Sequence, residues 1–202
     1  IAMQVFKFGG ASVKDAQGVV NLVNIVKNHK TPLAVVVSAM GKTTNALELV
    51  LYHYMENDKA LSESVNRVVQ YHEKILKELF LESHSIFDKV AEIFRDLQEK
   101  LATDPGYSYN FEYDQIVSFG EIVSTIIVAE YLSFCDIPCE WVDIRRILKT
   151  NNSYREARVD FELSRELVRQ KMNGAKVYLT QGFIGSDENN LTTTLGREGS
   201  DY

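Results

Sequence analysis

Residues 3–13, M-Q-V-F-K-F-G-G-A-S-V, decide how the rest of the chain is read. Gln4 to Phe8 is mostly apolar and β-forming, the composition of a buried strand. Gly9 and Gly10 end it, and paired glycines permit positive φ and let another group approach the backbone closely. Ser12 is placed to cap a helix whose apolar spacing runs through Val19, Val20, Val23 and Val26. A strand, a Gly-Gly turn and a helix N-terminus make an anion site, because free backbone N–H groups point at one spot. Lys7, just before the turn, would add a fixed positive charge where phosphate could sit. The same residues also fit a plain strand-to-helix turn with a lysine on its rim. The turn alone does not choose between the two.

A chain of 202 residues can hold one sizeable domain with a real core, or part of a larger one. Its 45% hydrophobic and 25% charged residues are ordinary for a globular protein, so composition points to no special class. The formal net charge of −6 argues against a nucleic-acid or anionic-membrane partner, since either favours excess Lys and Arg. No apolar run reaches the length of a membrane span and no signal peptide is visible, so a cytoplasmic location is expected. Cys135 and Cys139 form no Cys-x-x-Cys pair, and the four histidines show no metal-ligand spacing near them. Both cysteines read as reduced, core-facing thiols. Met3 reads as the natural start, with Ile1 and Ala2 as additions ahead of it.

After the first helix, from about Ser12 to Asn28, Leu33-Ala-Val-Val-Val37 is apolar throughout, as a strand covered on both faces should be. Two strands joined through a helix predict a parallel pair with a right-handed crossover. The second strand ends in another small-residue turn, Ser38-Ala-Met-Gly41. Gly41-Lys42-Thr43 looks like the end of a P-loop, but that signature needs glycine where Val36 stands, so the match fails. Lys42 then reads as a solvated helix-start residue. From Thr43 to Ala102 the spacing is helical, with stripes at Val65, Val68, Val69, His72, Ile75, Leu76 and Leu79 and at Ile86, Phe87, Val90, Ile93, Phe94, Leu97 and Leu101. His72 within a stripe reads as a packed histidine. Successive helices without a strand predict an inserted helical lobe over one end of the sheet.

Asp104-Pro-Gly106 is the clearest break, and Glu112 to Phe134 then reads as a long helical stretch. Within it, Ser118-Phe-Gly-Glu121 fits a capping box with Ser118 as N-cap. It equally fits a mid-helix glycine beside an acid, open to a ligand. Pro138 to Val142 predicts a third strand, with Trp141 against the helical lobe, and Asp160 to Asn173 a helix stopped by Asn173-Gly174. Lys176 to Gln181 predicts a fourth strand. Thr192 to Leu195 is β-prone and runs into Gly196-Arg-Glu-Gly-Ser-Asp201, a third glycine-bearing turn whose following helix is missing. That abrupt end suggests a chain cut short.

Taken together, K-F-G-G-A-S-V, V-V-S-A-M-G, S-F-G-E and T-T-L-G-R-E-G-S-D-Y occur in the order and spacing of one family. From Met3 to Tyr202 the chain resembles the N-terminal part of aspartate kinases, members of the amino-acid kinase superfamily. The resemblance implies an α/β fold: a three-layer α/β/α sandwich with a mainly parallel sheet, of the amino-acid kinase or carbamate kinase-like type. It makes residues 3–202 the amino-acid-substrate lobe, with a helical insert at about 43–102. The activity implied is ATP-dependent phosphorylation of the L-aspartate side-chain carboxylate to 4-phospho-L-aspartate, the first step toward lysine, threonine and methionine.

By the same resemblance, Lys7 contacts the transferring phosphoryl group, and Gly9 and Gly10 offer it backbone N–H groups. Glu121 partners the substrate ammonium, and Arg197 grips the α-carboxylate through its planar guanidinium. Ser38, Thr44 and Ser200 match positions that offer hydroxyls to the substrate. Asp201 has a positional role, holding Lys7 or the metal-bound phosphates. Mg²⁺ is expected to travel with ATP. Two departures stand out: Ala11 replaces a hydroxyl residue, and Glu198 interrupts the usual G-R-G-G-S-D, where it is expected to point outward. Partners are L-aspartate and ATP, with no nucleic acid or membrane, and the full-length protein has room to be a homo-oligomer.

In this superfamily a second half holds the base and ribose, and regulatory ACT domains follow. Neither follows the last motif here, so little or no kinase activity is expected of these 202 residues alone. The alternatives are a glutamate 5-kinase, acetylglutamate kinase or uridylate kinase of the same fold, or a non-catalytic amino-acid-sensing module. A fused homoserine dehydrogenase is compatible with the sequence.

Overall fold

β1 (Gln4–Phe8), β2 (Leu33–Val37), β3 (Cys139–Trp141) and β4 (Val177–Gln181) form one parallel sheet in the order β1-β2-β4-β3. The computed structural model describes residues 2–196. Phe8, Val37 and Gln181 are in register, so the ends of β1, β2 and β4 share one rim. Open parallel sheets bind ligands outside the carboxyl ends of their strands, which makes this rim the place to look for a site.

Side-chain alternation sorts the strands onto two faces. Leu33, Val35, Val37, Val177 and Leu179 enter the main core, which α1 (Ala16–Val26) and α6 (Phe119–Phe134) also line. On the opposite face Tyr178 packs with Val142 and Ile147 and with Leu167 and Val168 of α7 (Phe161–Lys171). The sheet therefore lies between helices, the three-layer arrangement expected from the sequence. Trp141 packs against α6 rather than the insert, its indole N–H donating to Thr125 Oγ1 at 3.0 Å.

Between β2 and β3 come α2 (Thr43–Met55), α3 (Leu61–Leu79), α4 (Ile86–Leu101), α5 (Tyr109–Val117) and α6. The predicted stripes are buried: Val65, Val68, Ile75 and Leu76 of α3 and Ile86, Val90, Phe94 and Leu97 of α4 share one continuous core with the sheet. His72 is buried among them and its Nδ1 meets Val68 O at 2.8 Å; burial lowers its pKa to about 4, so it packs as a neutral ring. Glu112 of α5 is fully buried and pairs with Lys100 Nζ of α4 at 2.5 Å, tying the insert to α5. Tyr109–Phe134 has the length and apolarity of a membrane span, which corrects the expectation that no apolar stretch is that long. Within the fold, however, 72% of its most apolar window is buried. Cys135 and Cys139 are unpaired, and burial raises the Cys139 thiol to about 11.

Two local details depart from expectation. α1 is capped by Asp15, whose carboxylate accepts from Gly18 N at 2.8 Å, not by Ser12. Ser12 instead lies in a one-turn 3-10 segment, Gly10–Val13, folded so tightly over α1 that a Cβ on Gly18 would lie 2.4 Å from Ser12 O. The second is an unforeseen strand: β5 (Ile184–Ser186) pairs antiparallel with β6 (Thr192–Thr194). Three residues between Gly182 and Asp187 carry too little periodicity to announce themselves.

Candidate active site

The first two glycine-bearing turns are laced together through their backbones. Ser38 N donates to Phe8 O at 3.0 Å, and Gly41 N donates to Gly10 O at 2.9 Å. Positive φ is not what the Gly-Gly pair supplies: among the glycines described, Gly41 alone has it, at +56°. Gly10 is needed for close approach, since a Cβ there would lie 2.7 Å from Gly41 O and 2.9 Å from Ala39 O. Gly9 is different. Its backbone is extended (φ −73°, ψ 172°), and a Cβ would meet nothing within 4 Å, so that side of the turn is open. The predicted helix N-terminus is likewise corrected. Gly9 precedes the 3-10 turn with no side-chain cap, while the start of α1 is already filled by the Asp15 carboxylate. Any anion at this rim would thus meet the Gly9–Gly10 backbone, not α1. Lys7 sits two residues before Gly9, exposed and in register with Val36.

Glu121 comes to the same rim from α6. The capping-box reading fails: Ser118 is itself helical (φ −59°, ψ −22°), makes no cap hydrogen bond, and donates to Gln115 O at 3.4 Å. Glu121 turns instead toward the end of β2, where its Oε1 accepts from Ala39 N at 3.4 Å. Gly120 lets α6 come this close, with Ala39 Cβ 3.0 Å and Thr43 Cγ2 3.3 Å from where its own Cβ would be. The glycine therefore serves helix packing and thereby presents the acid. Ser124, one turn on, donates to Ser38 O at 2.7 Å and fixes the turn from the other side.

The electrostatics of Glu121 are unusual. The side chain is 2% exposed, and its Oε2 has no hydrogen-bond partner among the described residues. Burial pushes its pKa up to about 8, only partly opposed by its own backbone N–H and by that of Ala39. A buried carboxyl held only by backbone N–H groups is an expensive arrangement unless a cation completes it.

Of the residues singled out from sequence, Gly9, Gly10, Ser38 and Glu121 converge on linked backbone at this rim. Thr44 lies in the first turn of α2, half-buried, next to Thr43, whose hydroxyl donates to Met40 O at 2.6 Å. Arg197, Glu198, Ser200 and Asp201 lie outside the described residues. Sequence reasoning missed Ser124 and Tyr71. The Tyr71 hydroxyl donates to Lys14 O and stands 2.5 Å from a Cβ on Gly41, so α3 braces both turns. It also missed Asp114, a fully buried acid on α5 that accepts from the Thr194 N–H and hydroxyl and from Arg155 N; its place seven residues before Glu121 in a largely apolar stretch was the available signal.

A profile described as the amino acid kinase family matches residues 2–202. The chain belongs to the amino acid kinase family. Lysine-sensitive aspartokinase 3 of Escherichia coli is 32% identical over 98% of this chain, and the aspartokinase of Chlamydia trachomatis is 32% identical over the same share. The chain spans 44% of the length of each. The structure of E. coli aspartokinase III in complex with lysine and aspartate superposes with a TM-score of 0.89, at 30% identity, over 99% of this chain and 45% of that one. The same enzyme in complex with aspartate and ADP gives 0.88. The family membership accounts for the three-layer fold with its parallel sheet, and these relatives are kinases of the amino acid kinase type.

Proposed function

We propose that this chain carries the amino-acid-binding part of an aspartate kinase. The observation that supports it most directly is Glu121: a buried, uncompensated acid at the carboxyl rim of a parallel sheet, beside two laced glycine turns. An amino-acid ammonium is the cation such a site lacks.

In this proposal the ammonium of L-aspartate sits against Glu121, and the Arg197 guanidinium holds the α-carboxylate bidentately. Ser38, Thr44 and Ser200 offer hydroxyls to the substrate. The side-chain carboxylate is then free to attack the terminal phosphorus of ATP. A carboxylate oxygen forms the new P–O bond as the bond to ADP breaks, giving 4-phospho-L-aspartate and ADP. Phosphoryl transfer asks chiefly for alignment and for neutralisation of charge on the moving group. Lys7 supplies the charge, and the open Gly9 side of the turn supplies backbone N–H groups with room for phosphate oxygens. Asp201 orients Lys7 or the metal-bearing phosphates. Mg²⁺ would enter on the nucleotide, whose phosphate oxygens are its natural ligands. The reaction would stand at the head of lysine, threonine and methionine synthesis, in the cytoplasm.

Isothermal titration with L-aspartate tests this directly. Binding that is abolished by Glu121→Ala and by Arg197→Ala is expected. Binding indifferent to both substitutions would overturn the site, and binding without ADP formation in any longer form of the protein would favour a sensing module.

A further inference from the structure

One buried hydroxyl joins α6 to two strands of the sheet. Thr125 Oγ1 accepts from the Trp141 indole N–H of β3 at 3.0 Å and from Gln181 Nε2 of β4 at 2.8 Å. It donates back to Glu121 O at 2.9 Å, with Ile122 O at 3.2 Å. Both lone pairs and the hydrogen of this hydroxyl are thereby used. Gln181 closes the junction at its other end, its Oε1 accepting from Ile144 N at 2.8 Å. Thr125 and Gln181 are both buried.

Gln181 is the last residue of β4 and in register with Val37, so the junction stands at the carboxyl rim. Thr125 lies one helical turn beyond Glu121, on the same face of α6. A hydroxyl bonded back to the carbonyl four residues earlier acts on that turn and favours a bend there. Packing alone does not call for this, since apolar groups of the same shapes would fill the space with no polar atoms to satisfy. The polar junction adds one height and one rotation of α6 against the sheet, because sliding or turning the helix leaves each member unpaired. That seating decides whether the Glu121 carboxylate reaches Ala39 N, at 3.4 Å. Ser124 ties the turn after β2 to α6; Thr125 ties α6 to the strands.

We infer that Thr125 is a positioning residue for the ammonium site: held by Trp141 and Gln181, it seats the Glu121 turn of α6 where the acid meets the turn after β2. The inference rests on the aspartate site proposed above, in which Glu121 takes the ammonium of the ligand.

Thr125→Val keeps the shape and removes the hydroxyl, while Thr125→Ser keeps the hydroxyl and removes a methyl. The test measures amide hydrogen exchange at Ala39, the Kd for L-aspartate, and the melting temperature, in this chain. Thr125→Val is expected to speed exchange at Ala39 by about tenfold and to weaken aspartate binding by about tenfold at temperatures where the fold is intact. Thr125→Ser is expected to bring both within about twofold of the unsubstituted chain, although its lost methyl lowers the melting temperature. A merely structural role would give the reverse order, because packing favours Val over Ser. Trp141→Phe, which deletes one donor and keeps an aromatic ring, is expected to move both readouts about threefold and serves if Thr125→Val does not fold. Either readout within twofold of the unsubstituted chain in the variant that folds would overturn the inference, whatever the melting temperature. A Thr125→Ser chain that behaves like Thr125→Val would overturn it as well. Failure of the unsubstituted chain to bind aspartate would count against the site itself, a separate outcome, and exchange at Ala39 would still decide whether Thr125 seats Glu121.

Discussion

Aspartate affinity should depend on pH through Glu121. Its carboxyl is held up to about 8 by burial, so at pH 7 about nine-tenths of empty sites carry the proton. An ammonium ligand needs the ionised form, and binding must expel that proton. The cost is about 1.4 kcal/mol at pH 7, or roughly tenfold in Kd, and roughly a hundredfold at pH 6. Titration calorimetry in buffers of different ionisation enthalpy should find close to one proton released per aspartate at pH 7. Log Kd should fall by about one unit per pH unit from 6 to 8. Stability carries the opposite consequence. The unfolded carboxyl titrates near 4.5 and the folded one near 8, so the native state holds the extra proton between them. Stability therefore falls as pH rises across that window and levels off above it. Glu121→Gln cannot ionise, so its denaturation free energy should exceed that of the unsubstituted chain by roughly 3 to 5 kcal/mol at pH 8, with little difference at pH 4.5. A Kd flat between pH 6 and 8 with no proton release would refute the reasoning.

Three further outcomes follow from the packing. Gly10→Ala would drive a methyl into two backbone carbonyls and should cost about 2 kcal/mol or more in urea denaturation. Gly9→Ala meets nothing and should leave stability within about 0.5 kcal/mol in the same assay. His72, at about 4 when folded and 6.5 otherwise, costs stability as pH falls between those values. His72→Leu should therefore gain on the unsubstituted chain by about 3 kcal/mol between pH 7 and pH 4, read from denaturation curves at each pH.

Much of the scaffold was legible because it depends on local pattern. The apolar run of β2, the stripes of α3 and α4 and the helix that follows Asp160 are each decided within a few residues, and each appears where the pattern puts it. Features that depend on distant contacts were not legible. Ser12 is a local exception: it has the chemistry of an N-cap, yet the backbone folds into a 3-10 turn first and Asp15, three residues on, takes the cap. Ser118 and Glu121 have capping-box spacing, yet Ala39, 82 positions away from Glu121, claims the acid. Gly9 and Gly10 look equivalent in sequence; only the approach of Gly41 distinguishes them. Asp114 was passed over because its partners, Thr194 and Arg155, are 80 and 41 residues distant.

Gly10 and Glu121 share a direction: each had a sufficient local role and is engaged instead by the turn that follows β2. A site for a ligand with both charge signs cannot be built on one segment, because an acid and a base placed side by side would neutralise each other instead of the ligand. Glu121 is accordingly carried by a helix and backed by Ser38–Gly41, far along the chain from Arg197. Among the described residues its Oε2 has no hydrogen-bond partner, and burial raises its pKa, which costs stability as pH rises. The near-isosteric Glu121→Gln removes that cost and should also abolish the proton release that accompanies aspartate binding. Proton release that persists in this variant would show that Glu121 answers to something other than a missing cation.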